Sequence, residues 1–180
     1  ANVGNALTMY GEKSGVGGLI ADVDRHQGKM HVTTASGLYD LRSSQQDGVL
    51  ASSWMFERRS SVSLGKELLP LERGALLATQ EGIYRQRGEA EWSLVVERKT
   101  LTLAASKSSE IVYAGRGEGL MRLRPLGETW EGERIQGFSD EVRSIREEEP
   151  GILWVSNTQG EIFRIRLSED RSRAQEASQL

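Results

Sequence analysis

The stretch "EEEPGILWVSNTQGEIFRI", residues 147–165, joins a short acidic run, a Pro-Gly pair, an apolar run holding a Trp, a polar loop and a second apolar run. Such a string is either a site in its own right or one copy of a repeated unit, and the rest of the chain decides for the repeat. Four segments match when aligned on the glycine that follows a short apolar run. They are "KMHVTTASGLYDL" from Lys29, "GALLATQEGIYRQ" from Gly74, "IVYAGRGEGLMRL" from Ile111 and "ILWVSNTQGEIFRI" from Ile152. The marker glycines are Gly37, Gly82, Gly119 and Gly160, spaced by 45, 37 and 41 residues.

The aligned columns agree physically. Three residues before each marker stands a polar residue: Thr34, Thr79, Arg116 or Asn157. Before those come small residues (Thr33, Ala78, Gly115, Ser156), then apolar ones (Val32, Leu77, Ala114, Val155), then mostly large ones (His31, Leu76, Tyr113, Trp154). The fourth copy carries one extra residue, Glu161; with that allowance Tyr39, Tyr84, Met121 and Phe163 fall near one another. Both runs of each copy are short, and glycine-bearing polar loops bound them, which is the pattern of strands. No long segment carries an apolar stripe of helical period.

Each unit has two further strand candidates upstream. One is an apolar segment: residues 19–24, 101–105 and 142–145, with residues 67–71 as a weaker counterpart broken by Pro70. The other is marked by an aromatic: Trp54, Trp92 or Trp130, with "ALTMY" (residues 6–10) as the first counterpart. The expectation is therefore all-β, about four four-stranded antiparallel blades of a β-propeller, either a closed four-bladed ring or part of a larger one. The blades fall at roughly 6–41, 52–86, 91–123 and 129–167, within propeller repeats spanning 1–167. A polar, mobile tail follows at 168–180. Pro150-Gly151 is the turn between the first and second strands of the fourth blade. Trp154 and Tyr113, in one column, are expected to be buried between blades.

At "VRSIREEEPGILWVSNTQGEIFRI" the sequence resembles the repeats of two-component regulator propellers, extracytoplasmic sensor blades of bacterial hybrid histidine kinases. "VTTASGLYDL" and "VYAGRGEGLMRL" fit the same pattern, although the Gly-Thr pair usual in those repeats is replaced by Thr33-Thr34, Ala78-Thr79, Gly115-Arg116 and Ser156-Asn157. "MRLRPLGETWEGERI" resembles a decayed Asp-box unit of sialidase-like propellers, and "GFSDEVRSI" the opening of a WD repeat without a closing Trp-Asp. The first resemblance implies a sensor domain in the periplasm or outside the cell.

Composition narrows the chemistry. A net charge of -3 over 180 residues implies no general affinity for nucleic acid or anionic membrane. No apolar run approaches the roughly 20 residues of a membrane span, so no membrane insertion of this segment is expected. The chain begins at Ala1, so the lack of a visible signal peptide decides little. With no cysteine, disulfides, zinc-thiolate sites and thiol catalysis are excluded.

"GEKSGVGG" (residues 11–18) lacks the P-loop spacing and reads as a turn. Asp22, Asp24 and His26 alternate along one strand, but a strand end and a turn account for them without a metal. The acidic run 147–149 has the chemistry to bind calcium but reads as a solvated turn. Neither histidine lies in a nucleophile-elbow context. Arg116, Arg122, Arg124, Arg143 and Arg146 follow a strand rhythm that reads as outer-face charge. No cofactor is implied.

The leading expectation is a non-enzymatic sensor or scaffold propeller that binds a small molecule, glycan or protein on one face. A carbohydrate-active propeller enzyme of sialidase or lyase type is the alternative, as is an intracellular WD-like scaffold. In a propeller, the loops between second and third strands share one rim with the connections into the next blade. Specificity is expected where those loops differ between copies: Gln80, Glu81, Arg116, Glu118, Asn157 and Gln159. Arg116 stands where two other units have Thr, and its guanidinium could hold a carboxylate or a sulfated sugar.

Overall fold

The computed structural model describes residues 12–44, 53–60, 62, 64–72, 74–88 and 91–179. After one 3-10 turn (Glu12–Ser14) these form sixteen strands in four antiparallel sheets, each a simple up-and-down run of consecutive strands. Sheet I holds β1 (Ile20–His26), β2 (Lys29–Thr34), β3 (Gly37–Ser44) and β4 (Ser53–Ser60). Sheet II holds β5 (Gly65–Leu71), β6 (Gly74–Thr79), β7 (Ile83–Arg87) and β8 (Glu91–Val96). Sheet III holds β9 (Thr102–Ala105), β10 (Val112–Arg116), β11 (Gly119–Leu126) and β12 (Thr129–Arg134). Sheet IV holds β13 (Ser144–Glu149), β14 (Ile152–Ser156), β15 (Ile162–Leu167) and β16 (Ala174–Gln179). This is the blade architecture of a propeller. The first strands β1, β5, β9 and β13 pack one against the next, and among the described residues no comparable packing joins sheet IV to sheet I.

The four aligned segments are the β2–β3, β6–β7, β10–β11 and β14–β15 hairpins. Each strand turns one face to the preceding sheet and one to the following sheet, so adjacent columns face opposite ways. Leu76 packs with Val112, Ala114, Met121 and Leu123 between sheets II and III. Tyr113, fully buried, packs with Leu153, Val155, Phe163 and Ile165 between sheets III and IV. His31 is buried beside sheet II, with Nδ1 2.7 Å from Asp40 Oδ1 and Nε2 3.2 Å from the His26 carbonyl. Arg59 Nε approaches Asp40 Oδ2 to 2.7 Å. The marker glycines also have a cause. A Cβ on Gly37, Gly82 or Gly119 would lie within 3 Å of the carbonyl oxygen of Ser60, Val96 or Phe138.

Three expectations are corrected. First, the aromatic-marked segments are the last strands of their sheets. Trp54, Trp92 and Trp130 lie on β4, β8 and β12, so the sheets group residues 20–60, 65–96, 102–134 and 144–179. Loop length is the reason. Two residues separate β11 from β12, where Leu126 pairs with Thr129, whereas nine separate β12 from β13. A tight hairpin keeps its two strands in one sheet. Second, residues 174–179 of the polar tail form β16, pairing Phe163 with Gln179 and Arg164 with Ser178. The Asp170 carboxylate organises the preceding turn, accepting from Ser168 Oγ at 2.6 Å and Ser172 N at 3.1 Å. Third, Trp154 is partly exposed, its Nε1–H donating to Glu148 Oε2 at 3.1 Å. Its column faces the following sheet, and among the described residues no sheet follows sheet IV. "ALTMY" lies outside the described residues.

Candidate binding rim

The hairpin loops after β2, β6, β10 and β14 share one rim with the crossovers between sheets, as backbone hydrogen bonds show. Leu64 N donates to Ala35 O at 3.0 Å, and Gln80 N to Leu64 O at 3.3 Å. Thr100 N donates to Thr79 O at 3.0 Å, Val142 N to Arg116 O at 2.9 Å, and Arg143 N to Ser156 O at 2.7 Å. Each crossover is thus clamped between the loops of the two sheets it connects. Thr158 Oγ1 also donates to Glu141 Oε2, tying the β14–β15 loop to the crossover from sheet III.

The polar column before the marker glycine explains itself here. Thr34 Oγ1 accepts from Ser36 N (3.0 Å) and Gly37 N (3.2 Å). Thr79 Oγ1 does the same with Glu81 N (3.1 Å) and Gly82 N (3.0 Å). Asn157 Oδ1 accepts from Gln159 N and Glu161 N, both at 3.0 Å. In each case a short side chain satisfies the backbone donors of its own turn. Arg116, in the same column, has no acceptor to offer and is released from that duty.

The remaining residues singled out in sequence are distributed over three loops. Glu81 Oε2 accepts from Tyr84 OH at 2.8 Å, and Asn157 Nδ2 donates to Glu161 Oε2 at 2.5 Å. Gln80, Glu118 and Gln159 are exposed. Arg116 and Glu118 share the β10–β11 loop, whereas Gln80 and Glu81 lie on sheet II, and Asn157 and Gln159 on sheet IV. The Arg116 guanidinium is partly buried, and its Nε is shielded without an acceptor. Burial holds its pKa below the ordinary arginine range; the charges of Arg98 and Arg134 push the same way and Glu118 opposes them. Arg98 and Arg134 were not anticipated. The sequence signal would have been their place, one on the crossover before β9 and one at the end of β12.

Toward the centre, carboxylates staple one first strand to the next. Asp22 Oδ2 accepts from Leu68 N at 3.0 Å, and Glu67 Oε2 from Leu103 N at 2.9 Å. Burial raises the pKa of Glu67. These acids, with Lys66, Leu101 and Arg143, line a depression of about 260 Å³. Asp22, read in sequence beside Asp24 and His26, is thus a cross-sheet acceptor, and Asp24 Oδ1 accepts from Arg25 N at 2.6 Å. Among the described residues no group of three His, Asp or Glu is arranged to hold a metal. Arg122 is buried rather than outer-face charge: it pairs with Glu133 and donates to the Asp170 carbonyl. Glu147, in the acidic run, is buried too.

No family model matches the sequence, and no curated protein is detectably related to it. Among solved structures the chain is similar to the extracellular domain of a protein described as a hybrid two component system of B. thetaiotaomicron. The TM-score is 0.68 at 13% identity, over 93% of this chain and 26% of that one. The chain therefore spans about a quarter of that domain and shares the fold of that part. No helix among the described residues is long and apolar enough to cross a membrane.

Proposed function

We propose that this chain is a non-enzymatic, sensor-type binding module that acts in the periplasm or outside the cell and recognises a small molecule, glycan or protein through its crossover rim. The observation that carries this reading is the division of labour on that rim. Residues that repeat are engaged in packing or in capping their own turns, whereas Arg116, Gln80 and Gln159 point their chemistry elsewhere. The fold shared with an extracellular domain of a two component system supports the sensing role.

The test is a calorimetric binding screen against oligosaccharides, small carboxylates and peptides, repeated with an Arg116→Ala/Gln159→Ala variant. Asn157→Ala is the poorer probe, because Asn157 caps its own loop. The double variant should weaken binding at least tenfold while leaving the melting temperature nearly unchanged. Unaltered affinity would remove the rim from consideration and favour the opposite face.

A further inference from the structure

We propose that Arg98, Arg116 and Arg134 form an oxyanion site on the rim where sheets II and III meet, built for a phosphate or sulfate group. The inference rests on the reading of the rim as the binding face. Register places two of the three. Ala114 pairs with Met121, and Met121 with Arg134, so these three share a face of sheet III; Arg116, two residues beyond Ala114, lies on it too. Ala114 and Met121 belong to the apolar core between sheets II and III. Arg116 and Arg134 therefore stand at the rim end of that core.

Arg98 arrives from the other side, on the crossover from β8 to β9. Arg98 N donates to Val96 O at 3.1 Å, and Thr100 Oγ1 to Arg98 O at 2.8 Å. Leu101 N then donates to Gly115 O at 2.8 Å, which anchors the crossover beside the base of the Arg116 loop. Arg98 on the crossover and Arg134 on β12 are thus placed so that both their charges act on Arg116.

The charges are uncompensated. Arg85, Arg143 and Arg164 each have a carboxylate within 4 Å, at Glu128, Glu141 and Glu148. Among the described residues no carboxylate comes that close to Arg98, Arg116 or Arg134. The opposing charge that acts on Arg116 is that of Glu118, on the loop tip. Burial, and then the charges of Arg98 and Arg134, already disfavour the Arg116 charge. A bound dianion supplies the missing counter-charge, and several planar forks on one group are the usual protein solution for such anions.

The experiment titrates the chain with sodium sulfate and, separately, sodium phosphate, against sodium chloride at matched ionic strength, following backbone amides by NMR. Saturable shifts confined to residues 97–101, 115–119 and 134–136 are expected with either salt and not with chloride. Arg98→Gln and Arg134→Gln, both at exposed positions, should each weaken the response at least fivefold. Shifts that match those of chloride, or that persist unchanged in both variants, would overturn the site. If a screened ligand still binds the rim in that case, the rim reading stands and the oxyanion site alone falls. Loss of rim binding with the anion response intact would do the opposite.

Discussion

Replacing Tyr113 by Phe probes a polar link inside the apolar interface between sheets III and IV. Tyr113 is fully buried, and its hydroxyl donates to Glu147 Oε1 at 3.0 Å. Glu147, 4% exposed, also accepts from Gly151 N at 2.9 Å, from Lys107 N, and from Ser106 Oγ at 3.4 Å. The carboxylate therefore gathers the β9–β10 loop, β10 and the Pro150-Gly151 turn around one point. Tyr113→Phe keeps the ring and removes one donor from a carboxylate that retains two backbone donors, at a cost of about 1.5–2 kcal/mol. Glu147→Ala strands the hydroxyl and both amides at once, at a cost of about 3–5 kcal/mol. At about 2–4 °C per kcal/mol for a chain of this size, the melting temperature should fall by about 3–8 °C for Tyr113→Phe. Urea titrations of wild type, both single variants and the double variant complete the cycle, and the coupling energy should be about 1–2 kcal/mol. Burial first, then the Glu147 charge, pushes the tyrosine pKa up to about 12. The folded state therefore keeps the phenolic proton longer than the unfolded chain. This contribution is full below pH 10 and is lost as pH rises from 10 toward 12, a loss absent in Tyr113→Phe. A destabilisation below 0.5 kcal/mol with no coupling would refute the reasoning, since Glu147 would then be satisfied without the hydroxyl.

Burial raises the Glu67 pKa above its ordinary value, so the carboxylate's contribution is full below about pH 4.5 and is lost as pH rises through the folded-state value. Glu67→Gln keeps an acceptor for Leu103 N without the charge and should match or exceed wild-type stability at pH 7, whereas Glu67→Ala should lose about 1–2 kcal/mol; thermal melts from pH 4 to 8 compare them. Burial, then the neighbouring His31, lowers the His26 pKa, with Asp24 opposing. The unfolded chain takes up that proton first, so stability should fall as pH drops below about 6.5, and His26→Gln should flatten the slope in urea titrations between pH 5 and 7. Gly115→Ala would bring a methyl within 3 Å of Thr102 and Val142, and should destabilise the chain by about 2–3 kcal/mol in the same assay.

The strands nearest the marker glycines were legible because their columns report packing. The hairpins at Gly37, Gly82, Gly119 and Gly160 follow from small, apolar and large residues alternating in register, and alternation is a local property. The grouping of strands into sheets was less legible. An aromatic-rich strand pairs equally well with the strand before or after it on pattern alone; the two-residue turn at Gly127-Glu128 was the available signal. β16 was hidden because it is an outer strand whose residues are almost all exposed, so "AQEASQ" carries no apolar alternation. Trp154 misled for the converse reason. Its column is a packing column in the three earlier sheets, and only the absence of a following sheet among the described residues leaves it exposed.

The polar column shows why a site can be half legible in a repeat. Thr34, Thr79 and Asn157 differ in type but perform one task, accepting hydrogen bonds from their own loop amides. A residue that breaks such a column either destabilises its loop or is compensated by the backbone. In the Arg116 loop the compensation is visible: Gly119 adopts φ 88°, and its N–H turns away to the Asp140 carbonyl at 3.0 Å. The loop therefore no longer needs a side-chain acceptor, and the position becomes available to a long cation. Sequence alone could mark Arg116 as the exception in its column. It did not single out Arg98 and Arg134, which belong to no column: Arg134 comes onto the Arg116 face only through the pairing of β10, β11 and β12, and Arg98 lies on the crossover from sheet II. In a repeat protein a broken column is therefore the position to test for binding, together with the residues that neighbouring strands and connections bring beside it.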